Sequence, residues 1–488
     1  MIFTSIEFLF FFATVLLIIG LLSVPATVKC FGAEKLAQIR RYVLLIASYF
    51  FYGWWDWRFC FLLFGLTLVA YFTALHIEAH RGKKWSVAIG VIVPLMILAI
   101  FKYFNFFIGS FTALFGHTTS DVLKIILPLG ISFYTFQSIS YTIDVYKGKL
   151  TASRDFFRFA LYVAFFPQLI SGPIVKASVL LPQIDEDRNI TLQRLSEGAQ
   201  IILLGFAKKM VLADNISVFV NEVYKAPQAF HSGTVALAVI SYSLQLYFDF
   251  SGYSDMAIGC AKILGYDLPR NFNLPYLARN CSEFWKRWHI SLSSWLMEYL
   301  YFPLGGNRKG KWRTYLNLMV TMALGGLWHG ASWNFIIWGV IHGAMLSLHK
   351  FYLSMRGIDP KLRDPNPVTN LLKMIFTFCV VSIAWVFFRA ETWSLATSII
   401  SRIFLWQDGV VHHFVWSYVG IAVLLIASAI ALARSKQKNT PLFQADINGF
   451  YPLLNLNKFW SLVVFLFAVG LCVGLAYTAS NPFIYFQF

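Results

Sequence analysis

Apolar residues run in long blocks along this chain, broken by short segments rich in Lys, Arg, Gly and Pro. A bilayer core about 30 Å thick is crossed by roughly 20 helical residues. By that measure spans fall at about 5–23, 42–54, 59–77, 86–107, 122–140, 154–171, 198–221, 233–262, 314–328, 332–349, 371–389, 415–433 and 459–478. The stretches at about 42–54 and 154–171 are short or polar for a simple crossing, and read as tilted, re-entrant or buried inside a bundle. The expected fold is an all-α polytopic membrane protein with about 10–13 spanning or re-entrant helices. It forms one integral membrane domain: N-terminal spans to about 120, a core over about 121–350, and further spans from about 351. The opening Met1-Ile-Phe-Thr-Ser-Ile-Glu-Phe lacks a basic n-region and a small-residue cleavage site, so it reads as a retained span.

The segment of about 263–313 is the least lipid-like. It carries Pro269, Arg270, Pro275, Arg279, Lys286, Arg287 and the pair Gly305-Gly306. Within it Phe284 to Phe302 reads as one helix. Trp285, Trp288, Leu292, Trp295 and Tyr299 recur at three- and four-residue steps, which predicts a cationic, aromatic, amphipathic helix in the interface plane or plugged into the bundle.

Composition excludes the soluble alternatives. Of 488 residues 58% are hydrophobic and 13% charged, and the mean hydropathy is +0.63; a soluble domain is about a quarter charged. The net charge of +17 would suit nucleic acid in a soluble protein, but no basic cluster sits in a soluble-length segment. Basic loops facing anionic lipid explain it better. Those holding Lys35/Arg40/Arg41, Arg81/Lys83/Lys84, Lys147/Lys149/Arg154, Arg308/Lys309/Lys311/Arg313, Arg356/Lys361/Arg363/Lys373 and Arg434/Lys436/Lys438 are expected inside, with both termini outside. The six cysteines show no CxxC spacing and suggest neither zinc nor a disulfide framework.

No loop is long enough for a soluble catalytic domain, so any chemistry belongs to the bundle. His329 lies in Leu324-Gly-Gly-Leu-Trp-His-Gly-Ala-Ser-Trp-Asn334. A helix starting at the membrane surface near Tyr315 would bury it roughly 20 Å deep in a ~30 Å core. An ionisable group at that depth is a functional candidate, and burial keeps its ring neutral and able to accept a proton. The pairs Gly326/Gly330 and Gly339/Gly343 also fit a tight helix contact around a packing histidine; the two readings are compatible. His289, beside tryptophans on the amphipathic stretch, either faces the same cavity or hydrogen-bonds to interfacial backbone.

Asp249, Ser251, Tyr253, Ser254 and Asp255 form a polar knot within an apolar span. They could orient a catalytic group, bind an ion, or pin the basic central segment through its Arg or Lys, and structural pairing is the favoured reading. His76 and His80 form a single i, i+4 box, and His412-His413 has no third ligand at sensible spacing, so no metal is expected. No P-loop, dinucleotide turn or GxSxG elbow occurs.

The ordered motifs carry a resemblance. Phe248-Asp-Phe-Ser-Gly-Tyr-Ser-Asp-Met-Ala-Ile-Gly259 leads to Arg270-Asn-Phe-Asn-Leu-Pro-Tyr276, then Glu283-Phe-Trp-Lys-Arg-Trp-His-Ile-Ser-Leu-Ser293, Tyr301-Phe-Pro-Leu-Gly-Gly306 and Gly326-Leu-Trp-His-Gly330. Upstream, Pro128-Leu-Gly-Ile-Ser-Phe-Tyr-Thr-Phe-Gln-Ser-Ile-Ser-Tyr141, Ile143-Asp-Val-Tyr-Lys-Gly148 and Phe166-Pro-Gln-Leu-Ile-Ser-Gly-Pro173 fit as well. Together they resemble the membrane-bound O-acyltransferase superfamily, in its bacterial alginate O-acetyltransferase branch. Single motifs are weak, but the ordered set, dense over about 120–350, is specific.

The resemblance implies a bundle pierced by a tunnel in a bacterial cell (inner) membrane. Its catalytic histidine maps onto His329, and its second retained histidine onto His289. The chain departs from the branch at Met297-Glu298, where an Arg-Asp pair is common before the Tyr; Glu298 keeps an acidic group there. An acyl thioester, acetyl-CoA or a carrier-bound form, would arrive from the cytosol, with no tightly bound cofactor. Lys286 and Arg287, with Arg279 and Arg308, could meet its phosphates or an acidic carrier. Asn334, Trp328, Trp288, Asp249, Asp255 and Tyr253 complete the candidate positioning set.

The expected acceptor is a hydroxyl of an extracytoplasmic polysaccharide, reached directly or through a partner SGNH-type acetyltransferase. Membrane lipid is the remaining expected partner, and nucleic acid is not one. Two alternatives stay open: D-alanyl transfer toward teichoic acid, and a non-catalytic transporter of acetyl groups or polymer precursors.

Overall fold

Helices start where a polar side chain can accept from the first unpaired amides of an apolar run. In the computed structural model Ser5 accepts from the Phe8 amide at 3.2 Å and opens Ile6–Leu22. Asp155, Ser332, Asn366 and Thr392 do the same for Phe156–Ala164, Trp333–Arg356, Pro367–Arg389 and Trp393–Leu405. The structure describes residues 1–80, 83–115, 125–170, 172–186, 188, 190–359, 364–437, 454–478 and 483–484. Among these the chain is helical, and an isolated bridge joins Phe230 to Val410.

The chain divides into two units. The first comprises Met1–Gly205, Tyr253–Pro269 and Leu453–Leu466. Its helices include Ile6–Leu22, Ala33–Gly53, Arg58–Ala79, Lys84–Leu98, Ile131–Tyr146 and Leu192–Phe206. A phenylalanine cluster holds several of them: Phe8 meets Phe51 at 5.9 Å, Phe11 meets Phe166 at 5.2 Å, and Phe51 meets Phe166 at 5.6 Å between ring centroids. At one end Asp267 gathers Arg188, Arg194 and Lys262. Burial pushes its carboxyl up, but those cations outweigh burial and hold it below the usual carboxylate value.

The second unit comprises Phe206–Gly252, Arg270–Pro452 and Phe467–Phe488. It is built on Asp214–Lys225, most of Ser232–Ile263, Lys311–His329, Trp333–Arg356, Pro367–Arg389, Trp393–Leu405 and Val415–Gln437. Lys311–His329 and Trp333–Arg356 approach so closely at Gly326 and Gly339 that backbone meets backbone there. A Cβ on Gly326 would lie 2.1 Å from the Phe335 carbonyl oxygen, and one on Gly339 would lie 2.2 Å from that of Met322. The small-residue pairs read from the sequence therefore make a helix contact.

This is a polytopic helical membrane protein. Arg58–Ala79, Lys84–Leu114 and Pro367–Arg389 are each long and apolar enough to cross a bilayer on their own. Ser232–Ile263 has 32 residues and ample length; its polar groups are buried in protein, which tolerates them better than lipid does.

Several boundaries differ from the expectation. The short run near 42–54 is the end of Ala33–Gly53, and buried Arg40 on that helix donates to the Leu22 carbonyl at 3.3 Å. The expected span over about 154–171 is two short helices, Phe156–Ala164, buried from Phe159 onward, and the buried Phe166–Leu169, parted at Phe165 before Pro167. The helix expected from about 122 begins at Ile131, behind Gly130 at φ 74. The expected start itself, with Arg81, Lys361, Arg363 and Lys438, lies outside the described residues. Ala177–Asp185 and Trp393–Leu405 had no sequence counterpart.

Candidate active site

The segment after Pro269 and the tryptophan-rich stretch run side by side. The Asn273 amide donates to the Arg287 carbonyl, and the Ile290 amide to that of Asn271, each at 2.9 Å. This pairing breaks the single helix expected over Phe284–Phe302. Cys281–Trp285 stops, Ile290–Leu296 starts afresh, and Met297–Tyr301 closes as a π-helical turn.

His289 stands at the break with φ 41, a left-handed conformation that side chains rarely adopt. Asn271 fixes it. Its Oδ1 accepts from the Ser291 amide at 3.2 Å and the Ser291 hydroxyl at 2.9 Å, and faces His289 Nδ1 at 3.1 Å. An atom accepting from an amide is the carbonyl oxygen, so Nδ1 carries the proton and Nε2 the lone pair. The ring is fully buried, edge-on to Phe250 at 4.7 Å, and burial pushes it down to about 3, keeping it neutral.

His329 ends its helix: Gly330 is extended, and the next helix starts after Ser332. The imidazole is buried against Trp328 at 5.0 Å, Trp338 at 5.0 Å and Phe388 at 5.2 Å. Trp328 also lies 6.1 Å from His289, so one indole touches both histidines. Gly330 is needed here, because a Cβ would sit 2.1 Å from the Phe335 ring. Asn334 donates its amide to the Ala390 carbonyl at 2.8 Å, tying the helix behind His329 to the end of Pro367–Arg389.

The remaining candidates separate. Trp288 is buried among Phe272, Phe284 and Trp385. Arg287 is buried and ion-paired with Glu283, which also binds Arg279 at 3.1 Å. Burial pushes the Glu283 carboxyl up, but these two cations hold it below its ordinary value. Lys286 is exposed.

Asp249 pairs as the favoured reading held, but with Lys209 at 2.7 Å rather than with the central segment. Lys209 binds Asp214 at 2.7 Å as well, and Asp249 accepts from the Ile484 amide at 2.8 Å. Lys209 lies in the π-helical turn Ala207–Ala213. Tyr253 and Asp255 belong to the first unit, where both are buried and Tyr253 packs on Phe3 at 5.5 Å. His76 and His80 stack on each other at 4.3 Å, and among the described residues no three potential ligands gather into a metal site.

Sequence reasoning missed His342. It is completely buried, 4.9 Å from Trp338 between ring centroids, and its Nδ1 accepts from Trp285 Nε1 at 3.3 Å. Trp338 and His342 stand four residues apart, a spacing that puts both on one helix face. That spacing, one helix on from His329, was the available signal.

The profile of the MBOAT, membrane-bound O-acyltransferase, family matches residues 152–390. A probable alginate O-acetylase of Pseudomonas putida is 39% identical over 509 aligned residues, covering the whole of both chains. A peptidoglycan O-acetyltransferase of Helicobacter pylori is 39% identical over 73% of this chain and 72% of its own. A teichoic acid D-alanyltransferase of Streptococcus thermophilus is 31% identical over 64% of this chain and 77% of its own.

Proposed function

The chain belongs to the membrane-bound O-acyltransferase family, and from that premise we propose that it moves an acetyl group from a cytosolic thioester to an extracytoplasmic hydroxyl. The donor is acetyl-CoA or a carrier-bound thioester. The acceptor is a hydroxyl of a cell-surface polysaccharide, or of an SGNH-type partner that passes the acetyl group on. The site of action is the bacterial cell membrane.

The observation that carries this reading is a buried imidazole, His329, ending the helix Lys311–His329 and sharing the Trp328 indole with a second, clamped histidine. His329 acts as general base. It takes the proton of the acceptor hydroxyl as that oxygen attacks the thioester carbonyl. The new ester bond forms, the carbon–sulfur bond breaks, and the imidazolium returns its proton to the departing thiolate. His289, protonated at Nδ1, offers a lone pair at Nε2. It therefore suits accepting from and orienting the hydroxyl; donation to the developing oxyanion falls to other N–H groups.

His329→Ala is expected to abolish acetylation while the protein stays folded and membrane-inserted. Mass spectrometry of surface polymers from cells carrying wild-type or variant protein checks this, and normal acetylation in the variant would remove His329 from the mechanism. The same spectra discriminate the D-alanyl reading, because the added mass identifies the acyl group. Full-length likeness to a probable alginate O-acetylase favours acetyl. Family membership speaks against a transporter that makes no bond.

A further inference from the structure

We propose that Phe483 and Ile484, in the last described stretch of the chain, are positioning residues for His289. Asp249 latches the Ile484 backbone, and the latch seats the Phe483 ring against Phe250, whose ring stands edge-on to that imidazole. The proposal rests on the role given to His289 above and adds the residues that set the plane of its ring.

One hydrogen bond fixes a point of an imidazole and not its plane. Asn271 holds His289 at Nδ1, so the direction of the Nε2 lone pair depends on the rings packed around it. Phe250 meets His289 at 4.7 Å with 89° between the planes, closer than Trp328 at 6.1 Å. The Phe250 ring is set in turn by Phe272 at 5.0 Å and Phe483 at 5.6 Å. Phe272 follows Asn271 in the clamp itself, whereas Phe483 comes from the last stretch of the second unit and is completely buried. A buried ring that is removed leaves a void into which its neighbours relax. Loss of Phe483 would therefore free Phe250, and through it His289.

What brings Phe483 there is a buried carboxylate. Asp249, one residue before Phe250, pairs with Lys209 through one oxygen, and its other oxygen accepts from the Ile484 amide at 2.8 Å. A hydrogen bond to an ionised acceptor is roughly twice as strong as a neutral one. The same tail is stitched upstream. The Tyr477 amide donates to the Met210 carbonyl at 3.0 Å, and Asn215 donates through Nδ2 to the Leu475 carbonyl at 3.2 Å. Met210 follows Lys209 in the π-helical turn Ala207–Ala213, and Asn215 follows Asp214, the other partner of Lys209. The course of the tail is thus tied to this ion-paired group independently of the packing of Phe483. Asp249, a candidate for the chemistry by sequence, is engaged as the socket for the tail.

The test measures acetyl content of surface polymers by mass spectrometry in cells making the full chain at matched, limiting levels, divided by the folded protein recovered in detergent. Phe483→Ala is expected to lower acetylation per folded molecule about tenfold, since small misplacements of a reacting group are costly. Phe483→Leu, which refills most of the space, should restore most of it. A purely structural loss would leave acetylation per folded molecule unchanged. The decisive comparison is the double variant. Losses at separate places multiply, whereas losses along one line of contact do not, so Phe250→Ala with Phe483→Ala should acetylate no less than Phe250→Ala alone. If the alanine variants do not fold, Phe250→Leu and Phe483→Val take their place in the cycle. Wild-type acetylation by folded Phe483→Ala, or a multiplied loss in the double variant, overturns the latch. Normal acetylation by His289→Ala would instead remove the role given to His289, and the latch with it.

Discussion

His289 is strained where it stands, and Asn271 is the reason it stays there. A residue with a Cβ at φ 41 costs on the order of 1–3 kcal/mol and persists only where its surroundings over-determine it. Asn271 supplies that with one oxygen, accepting from the Ser291 amide and hydroxyl while facing His289 Nδ1. Asn271→Ala removes the acceptor and leaves buried donors behind. The expected loss is about 2–3 kcal/mol of stability, visible as a lower Tm in detergent, together with at least a tenfold fall in acetyl transfer. Unchanged transfer at unchanged Tm would show that His289 keeps its place without the clamp. His289 was legible in the sequence through its neighbours and the family motif. Asn271 was not marked as its partner, because it reaches His289 from an irregular segment, where no periodicity signals contact.

Long apolar helices and their glycine seams could be read directly. Ser232–Ile263 and Pro367–Arg389 lie within a few residues of the hydropathy boundaries, and Gly326 and Gly339 meet the facing helix as the small-residue spacing suggested. The element that misled was Phe284–Phe302. Its aromatic periodicity is real, but backbone pairing of Asn271 and Asn273 with Ile290 and Arg287 competes with helical bonding and breaks it at His289. Such tertiary competition is invisible to a pattern of spacings. The glycine seam itself is open to test. A methyl at position 326 would press on the Phe335 carbonyl carbon and oxygen, on backbone that has no rotamer through which to yield. Gly326→Ala is therefore expected to force the two helices apart, costing about 1–3 kcal/mol or more, and to displace His329 three residues on. The signature is a lower Tm in detergent with acetyl transfer reduced well beyond what the remaining folded fraction explains. Full activity and Tm would mean that the helices can separate there freely.

At the scale of the whole chain the basic loops are the determinant of orientation. Lys and Arg exceed Asp and Glu by 17, and the exposed Lys309 lies in the turn that leads into Lys311–His329. Positively charged loops are retained in the cytoplasm during insertion, so Lys309 is expected inside. Counting helices onward, Lys311–His329 leads outward, Trp333–Arg356 returns, and Pro367–Arg389 leads outward again. Trp393–Leu405, at 13 residues, is too short to cross, so the segment after it, which carries the exposed Asp408, is expected outside as well. This arrangement matters to the proposed chemistry, because a base meant to be reached by a cytosolic thioester and an external hydroxyl needs its helix ends on opposite sides. A cysteine placed at Asp408 in a chain whose own cysteines are replaced by serine should react with an impermeant maleimide in spheroplasts. One placed at Lys309 should react only after permeabilisation. Both substitutions fall on exposed side chains, so neither disturbs packing. The reverse pattern would invert the protein in the membrane and take the donor side away from the cytosol. Labelling of both positions in sealed spheroplasts would mean that Lys311–His329, Trp333–Arg356 and Pro367–Arg389 do not cross in alternation.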